Sequence, residues 1–117
     1  MDLYKDYLLR FRDLKLTRQE LIALLPKGFV VDDPIVIYSN HLIHLITKYR
    51  NNDIDKLALL DWVNTVWFSE WFTYNDEQCD CIATIMNELE EIDEKGNELT
   101  EDKIQKYLHA LENNLEV

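Results

Sequence analysis

Apolar residues in this chain recur mostly at spacings of three and four, the mark of amphipathic helices rather than alternating strands. Over 2–14 the stripe is Leu3, Tyr7, Leu8, Phe11 and Leu14. Thr17 and Glu20 then stand at capping-box spacing and open a short helix carrying Leu21, Ile22, Leu24 and Leu25. Pro26-Lys27-Gly28 ends it, because the residue before a proline disfavours helix and glycine admits a positive φ. Phe29-Val30-Val31 reads as extended. Asp33-Pro34 reads as an N-cap with proline at the first helical position, and Ile35, Tyr38, Leu42, Leu45, Ile46 and Tyr49 continue at helical spacing. Ile35-Val36-Ile37 is strand-like alone, but the longer period favours helix.

After Asn51-Asn52-Asp53, with Asp53 as a cap, residues 54–73 form the most apolar segment of the chain. Leu57, Leu59, Leu60, Trp62, Val63, Val66, Trp67, Phe68, Trp71 and Phe72 spread around most of a helical circumference, as in the buried centre of a bundle. Tyr74-Asn75 breaks the pattern. Asn75 and Gln78 resemble a further capping box, opening a helix to about Lys95 with Ile82, Ile85, Met86, Leu89 and Ile92 on one face and Gly96 as its stop. Thr100 caps a last helix bearing Ile104, Tyr107, Leu108 and Leu111, and the tail 112–117 is expected to fray. The fold class expected is all-α: a single domain over 1–117, a compact bundle of five to six helices with short connections.

Composition narrows the function. With two Gly and two Pro in 117 residues there is little material for a turn-rich β-sandwich, and no Gly-rich phosphate loop or G-x-S-x-G elbow occurs. No run reaches a membrane span, and Asp2 and Asp6 stand where a signal peptide would be basic and apolar, so a cytoplasmic protein without membrane contact is expected. The net charge of −11 is unevenly placed: residues 1–56 hold nine Lys/Arg against eight Asp/Glu, whereas 57–117 hold three against fifteen. The segment 76–102 has eleven acids and one base, Lys95. Such a field repels nucleic acid and attracts basic proteins, although a charged face also serves solubility alone. Glu77, Asp80, Thr84, Glu88, Glu91 and Glu94 fall opposite the apolar face of that helix, and like charges stacked there weaken it, which a sequence shaped only for stability would avoid.

Catalytic and metal chemistry find little support. His41 and His44 lie three apart on one helix, but no third ligand is indicated, so packed or hydrogen-bonded imidazoles are expected and no metal. Cys79-Asp80-Cys81 is C-x-C, which puts the thiols on opposite helix faces, one in the core and one half-exposed. Ser39 and His41 diverge on one helix, and neither Ser39 nor Ser69 with His44 or His109 has an oxyanion hole in view. Glu70, the one acid between aromatics, is expected at a rim rather than as a desolvated general acid. No enzyme and no cofactor is expected. The aromatic set Trp62, Trp67, Phe68, Trp71, Phe72 and Tyr74 suits a core, yet one helix seldom finds cover all round, and Trp and Tyr are enriched at binding hot spots.

Tyr7-Leu8-Leu9-Arg10-Phe11 followed by Leu16-Thr17-Arg18-Gln19-Glu20-Leu21, with the later Ile92-Asp93-Glu94 and the helix capped by Thr100, resembles small helical bacterial toxin-immunity proteins of the colicin D immunity type. The resemblance is confined to those segments, and the aromatic helix at 54–73 departs from the pattern. It implies tight binding to the basic catalytic domain of a nuclease-type toxin. The expectation is therefore an acidic, non-enzymatic protein that neutralises a basic protein partner through Glu77, Asp80, Glu88, Glu91 and Glu94, with Trp71 and Tyr74 as anchors. The alternatives are a structural or regulatory homodimeric subunit and a nucleic-acid-mimicking inhibitor of a DNA- or RNA-binding protein.

Overall fold

Six helices and a two-stranded parallel sheet make up residues 3–117, the part of the chain described by the computed structural model. The order is α1 (Leu3–Arg12), α2 (Arg18–Leu24), β1 (Ile35–Ile37), α3 (Ser39–Arg50), α4 (Lys56–Phe68), β2 (Phe72–Tyr74), α5 (Cys79–Glu90) and α6 (Glu101–Asn113). The expected start at Asp2 lies outside the described residues. The chain is mostly helical, but the all-α expectation needs correcting for the sheet.

Local chemistry sets two helix starts where expected and a third two residues later. The Thr17 hydroxyl accepts from the Glu20 amide at 3.1 Å and the Glu20 carboxylate accepts from the Thr17 amide at 2.9 Å, so the capping box of α2 is complete. Thr100 caps α6 by accepting from the Lys103 amide. Asp55, not Asp53, caps α4, accepting from the Ala58 amide at 2.8 Å.

The other boundaries yield to long-range contacts. Ile35–Ile37 is a strand, not the first turn of α3, and Phe29–Val31 joins no strand. Ile35 pairs with Phe72, Val36 with Thr73 and Ile37 with Tyr74. The pair is parallel, so the chain must cross over between the strands, and α3 with α4 supplies the crossover. Helix α4 therefore cannot run to residue 73. It ends at Phe68, where Glu70 takes a left-handed φ of 64° and the Ser69 hydroxyl accepts from the Trp71 amide at 3.2 Å. The Trp71 carbonyl then receives the Ile35 amide, and β2 begins.

Asn75 and Gln78 make no capping box. Helix α5 starts only at Cys79, and the Gln78 side chain instead accepts from the Ser39 amide at 2.9 Å, tying the start of α5 to the start of α3. Helix α5 ends at Glu90 rather than near Lys95, and Gly96, at φ 89°, lies in the loop leading to α6. At the tail, α6 continues to Asn113, the Asn114 side chain donates to the Glu77 carbonyl, and the Val117 amide donates to the Thr84 hydroxyl.

The core is continuous. Helix α4 contributes Leu59, Leu60, Trp62, Val63 and Val66, and packs against α2, α3 and α5. Helix α5 adds Ile82, Ile85, Met86 and Leu89, and α3 adds Leu42, Leu45 and Ile46. Helix α6 closes over α3 and α5 with Ile104, Tyr107 and Leu111. The middle of α4 is thus the buried centre that its apolar circumference implies, while its two ends reach the surface at Leu57 and Phe68.

Candidate functional site

Glu77, Asp80, Glu88, Glu91 and Glu94 are all exposed. They do not form the continuous helical stripe expected of them, because α5 is shorter than its periodicity suggests. Only Asp80 and Glu88 lie on α5; Glu77 precedes it, and Glu91 and Glu94 follow it. Glu88 is also engaged within the fold, hydrogen-bonded to the Tyr107 hydroxyl of α6. Burial, then the charge and hydrogen bond of Glu88, push that phenol up to about 12. Thr84 is half-buried and donates to the Cys81 carbonyl at 2.9 Å, so it belongs to the packing between α5 and the tail.

The ion pairs of the described residues lie elsewhere, at Arg10–Asp6, Arg12–Asp13 and Arg50–Glu101, with His41 near Asp13 as a neutral imidazole. None of the nine acids from Asp76 to Glu98 has a cationic partner within 4.0 Å among the described residues. The negative field read from composition is therefore left uncompensated by the fold.

The aromatic residues divide by depth. Trp62 is buried and its indole N–H donates to the Arg12 carbonyl at 3.3 Å, joining α4 to the end of α1. Trp71, expected as an anchor, is half-buried, and its indole N–H donates to the Phe29 carbonyl at 3.1 Å with the two rings 6.2 Å apart. It clamps the 29–31 segment onto the approach to β2. Tyr74, the other expected anchor, is half-buried in β2. Burial raises its hydroxyl to about 12, and Cys79 and Glu90 add to the rise.

Within the aromatic set of 62–74 the exposed members are Trp67 and Phe68, 37% and 65% accessible, in the last turn of α4 with ring centroids 6.5 Å apart. Trp67 lines an open cleft of about 260 Å³ with Val66, Phe72, Thr73 and Tyr74. Reasoning from sequence placed these two in the aromatic set without singling them out. Their signal was position: they end an apolar run just before Ser69-Glu70, where a break leaves the last turn without a covering neighbour.

The remaining candidate groups lie apart from these surfaces. His41 Nδ1 accepts from the Tyr38 amide at 2.9 Å, and its Nε2 lies 3.8 Å from an Asp13 oxygen. Burial and the nearby Arg12 hold the imidazole down at about 4, against the raising influence of Asp13. His44 is exposed. Among the described residues no three His, Cys, Asp or Glu side chains are grouped to hold a metal ion. Cys81 is buried with its sulfur 3.5 Å from the Ala110 carbonyl, and desolvation pushes its thiol up; Cys79 is half-buried. The Ser39 hydroxyl is buried without a hydrogen-bond partner, and Glu70 is exposed in its left-handed turn. No helix is long and apolar enough to cross a membrane among the described residues.

Comparison with protein-family models, curated proteins and solved structures returns no match.

Proposed function

We propose that this chain is a non-enzymatic acidic protein that binds and neutralises a basic protein partner, in its most specific form the immunity protein of a nuclease-type toxin. The observation that carries this reading is the run of nine acids from Asp76 to Glu98 with no ion-pair partner among the described residues. Glu77, Asp80, Glu88, Glu91 and Glu94 form its contact surface, with half-buried Trp71 and Tyr74 as candidate anchors. Opposite potentials of this kind accelerate encounter and fix register. A cytoplasmic location accompanies the reading, in keeping with two unpaired cysteines.

The test is capture from a lysate of the source cells at low salt, followed by an activity assay of whatever is retained. One basic protein bound near stoichiometrically, released by salt and inhibited by this chain supports the proposal. A mixture of basic proteins retained in proportion to their charge and left active overturns it. A second reading, a homodimeric subunit, draws on the exposure of Phe68 and Trp67. Mass that rises with concentration, with no partner captured, would favour it.

A further inference from the structure

The geometry points to a further anchor for that partner: the cleft between the last turn of α4 and β2 receives one of its lysine or arginine side chains. This inference rests on the proposed function and deepens it. Three observations meet at the cleft. Its walls are aromatic, since Trp67, Phe72 and Tyr74 line it with Val66 and Thr73, and Phe68 extends the apolar surface beyond its lip. Its Tyr74 side lies in the field of Glu90, an acid with no ion-pair partner among the described residues. Finally, the ladder bonds from the Ile35 amide to the Trp71 carbonyl and from the Asn75 amide to the Ile37 carbonyl turn the main-chain groups of Phe72 and Tyr74 away from β1.

An aromatic wall in an uncompensated negative field attracts a cation, through the ring quadrupole and the field together. A planar guanidinium suits it best, because it can stack on an indole while donating toward a carboxylate or a carbonyl. Anionic occupants such as phosphate or nucleic acid meet a repulsive field. A second copy is disfavoured for the same reason, since each chain carries a net charge of −11. The sequence chemistry explains how the cleft forms. Ser69-Glu70-Trp71 reverses the chain, so the end of the apolar helix faces the strand that follows it, and Trp71 is held back by Phe29 instead of filling the gap.

The experiment is an amide and indole NMR titration of the full chain with deca-arginine at low salt, with deca-glutamate as control. Saturable shifts are expected at the Trp67 indole and at Thr73, with Trp67→Ala and, independently, Glu90→Gln weakening binding about tenfold or more. Asp53→Asn, remote from the cleft, should change it less than about twofold. Because Trp67→Ala could disturb packing, Phe68→Ser at the more exposed neighbour is titrated as well, and thermal melts check each fold. Binding that maps to Asp80, Glu91 and Glu94 and survives Trp67→Ala overturns the cleft while leaving the acidic partner surface standing. No binding of deca-arginine anywhere overturns both. Self-association that disappears in Phe68→Ser and Trp67→Ala also overturns the inference, by making the cleft a contact between copies.

Discussion

His41 Nδ1 accepts the Tyr38 amide hydrogen at 2.9 Å, so an imidazole does at the start of α3 what a glutamate does in a capping box. To accept, that nitrogen must be unprotonated, and the positive end of the helix opposes a charge there as well. The folded-state value near 4, against 6.5 ordinarily, means the unfolded chain binds the extra proton between those limits. Stability from this group is therefore fully present above about pH 6.5 and is lost as pH falls toward 4, by roughly 2–3 kcal/mol. The groups that bear on it are Arg12, Asp13 and His44. Denaturant melts of the parent and of His41→Gln, which keeps an acceptor but does not titrate, should diverge across that window. Parallel curves would show that the imidazole is not the source.

Trp71→Phe keeps a ring against Phe29 but deletes the indole N–H. The Phe29 carbonyl loses its 3.1 Å donor, at a cost of about 1–2 kcal/mol in urea unfolding. Affinity for a basic partner should fall less than about threefold, because this indole faces the fold. A large loss of affinity at unchanged stability would restore Trp71 as an anchor.

Glu70 holds a φ of 64° with a β-carbon that resists it. Glu70→Gly relieves the clash at the cost of a more flexible unfolded chain, for a net gain of about 0.5 kcal/mol or more. A lower melting temperature for this variant would contradict the strain.

The buried Ser39 hydroxyl has no partner, whereas the Ser39 amide is held by Gln78. Ser39→Ala should be neutral or stabilising by up to about 1 kcal/mol, and Gln78→Ala destabilising by about 1 kcal/mol. The opposite order in thermal unfolding would mean that the hydroxyl, not the amide, is the anchored group.

The parts legible in the sequence are those whose causes lie within one turn. Thr17 with Glu20, and Thr100 with Lys103, form caps from residues three apart, and the core faces of α5 and α6 follow directly from spacing. What was not legible depends on partners far along the chain. Ile35-Val36-Ile37 is a strand because Phe72-Thr73-Tyr74 lies beside it, and nothing local to either segment states that pairing. Gln78 had the spacing of a cap residue but serves Ser39 instead. The same limit applies to the aromatic residues. Acidity was readable from charge alone, but the exposure of Trp67 and Phe68 required knowing where α4 stops.

The parallel pairing of β1 and β2 has a consequence for the order in which the molecule assembles. Two whole helices separate the strands, so pairing them closes a long loop, and a three-residue ladder offsets that entropy only after α3 and α4 have packed. On this topology the strands are expected to pair late. The aromatic cleft, which exists only beside a finished β2, is then the last part of the surface to appear and the first to dissolve. A chain caught partway keeps its negative charge yet offers no seat for a cation. A partner of the proposed kind, engaging both, would tell a completed molecule from an incomplete one.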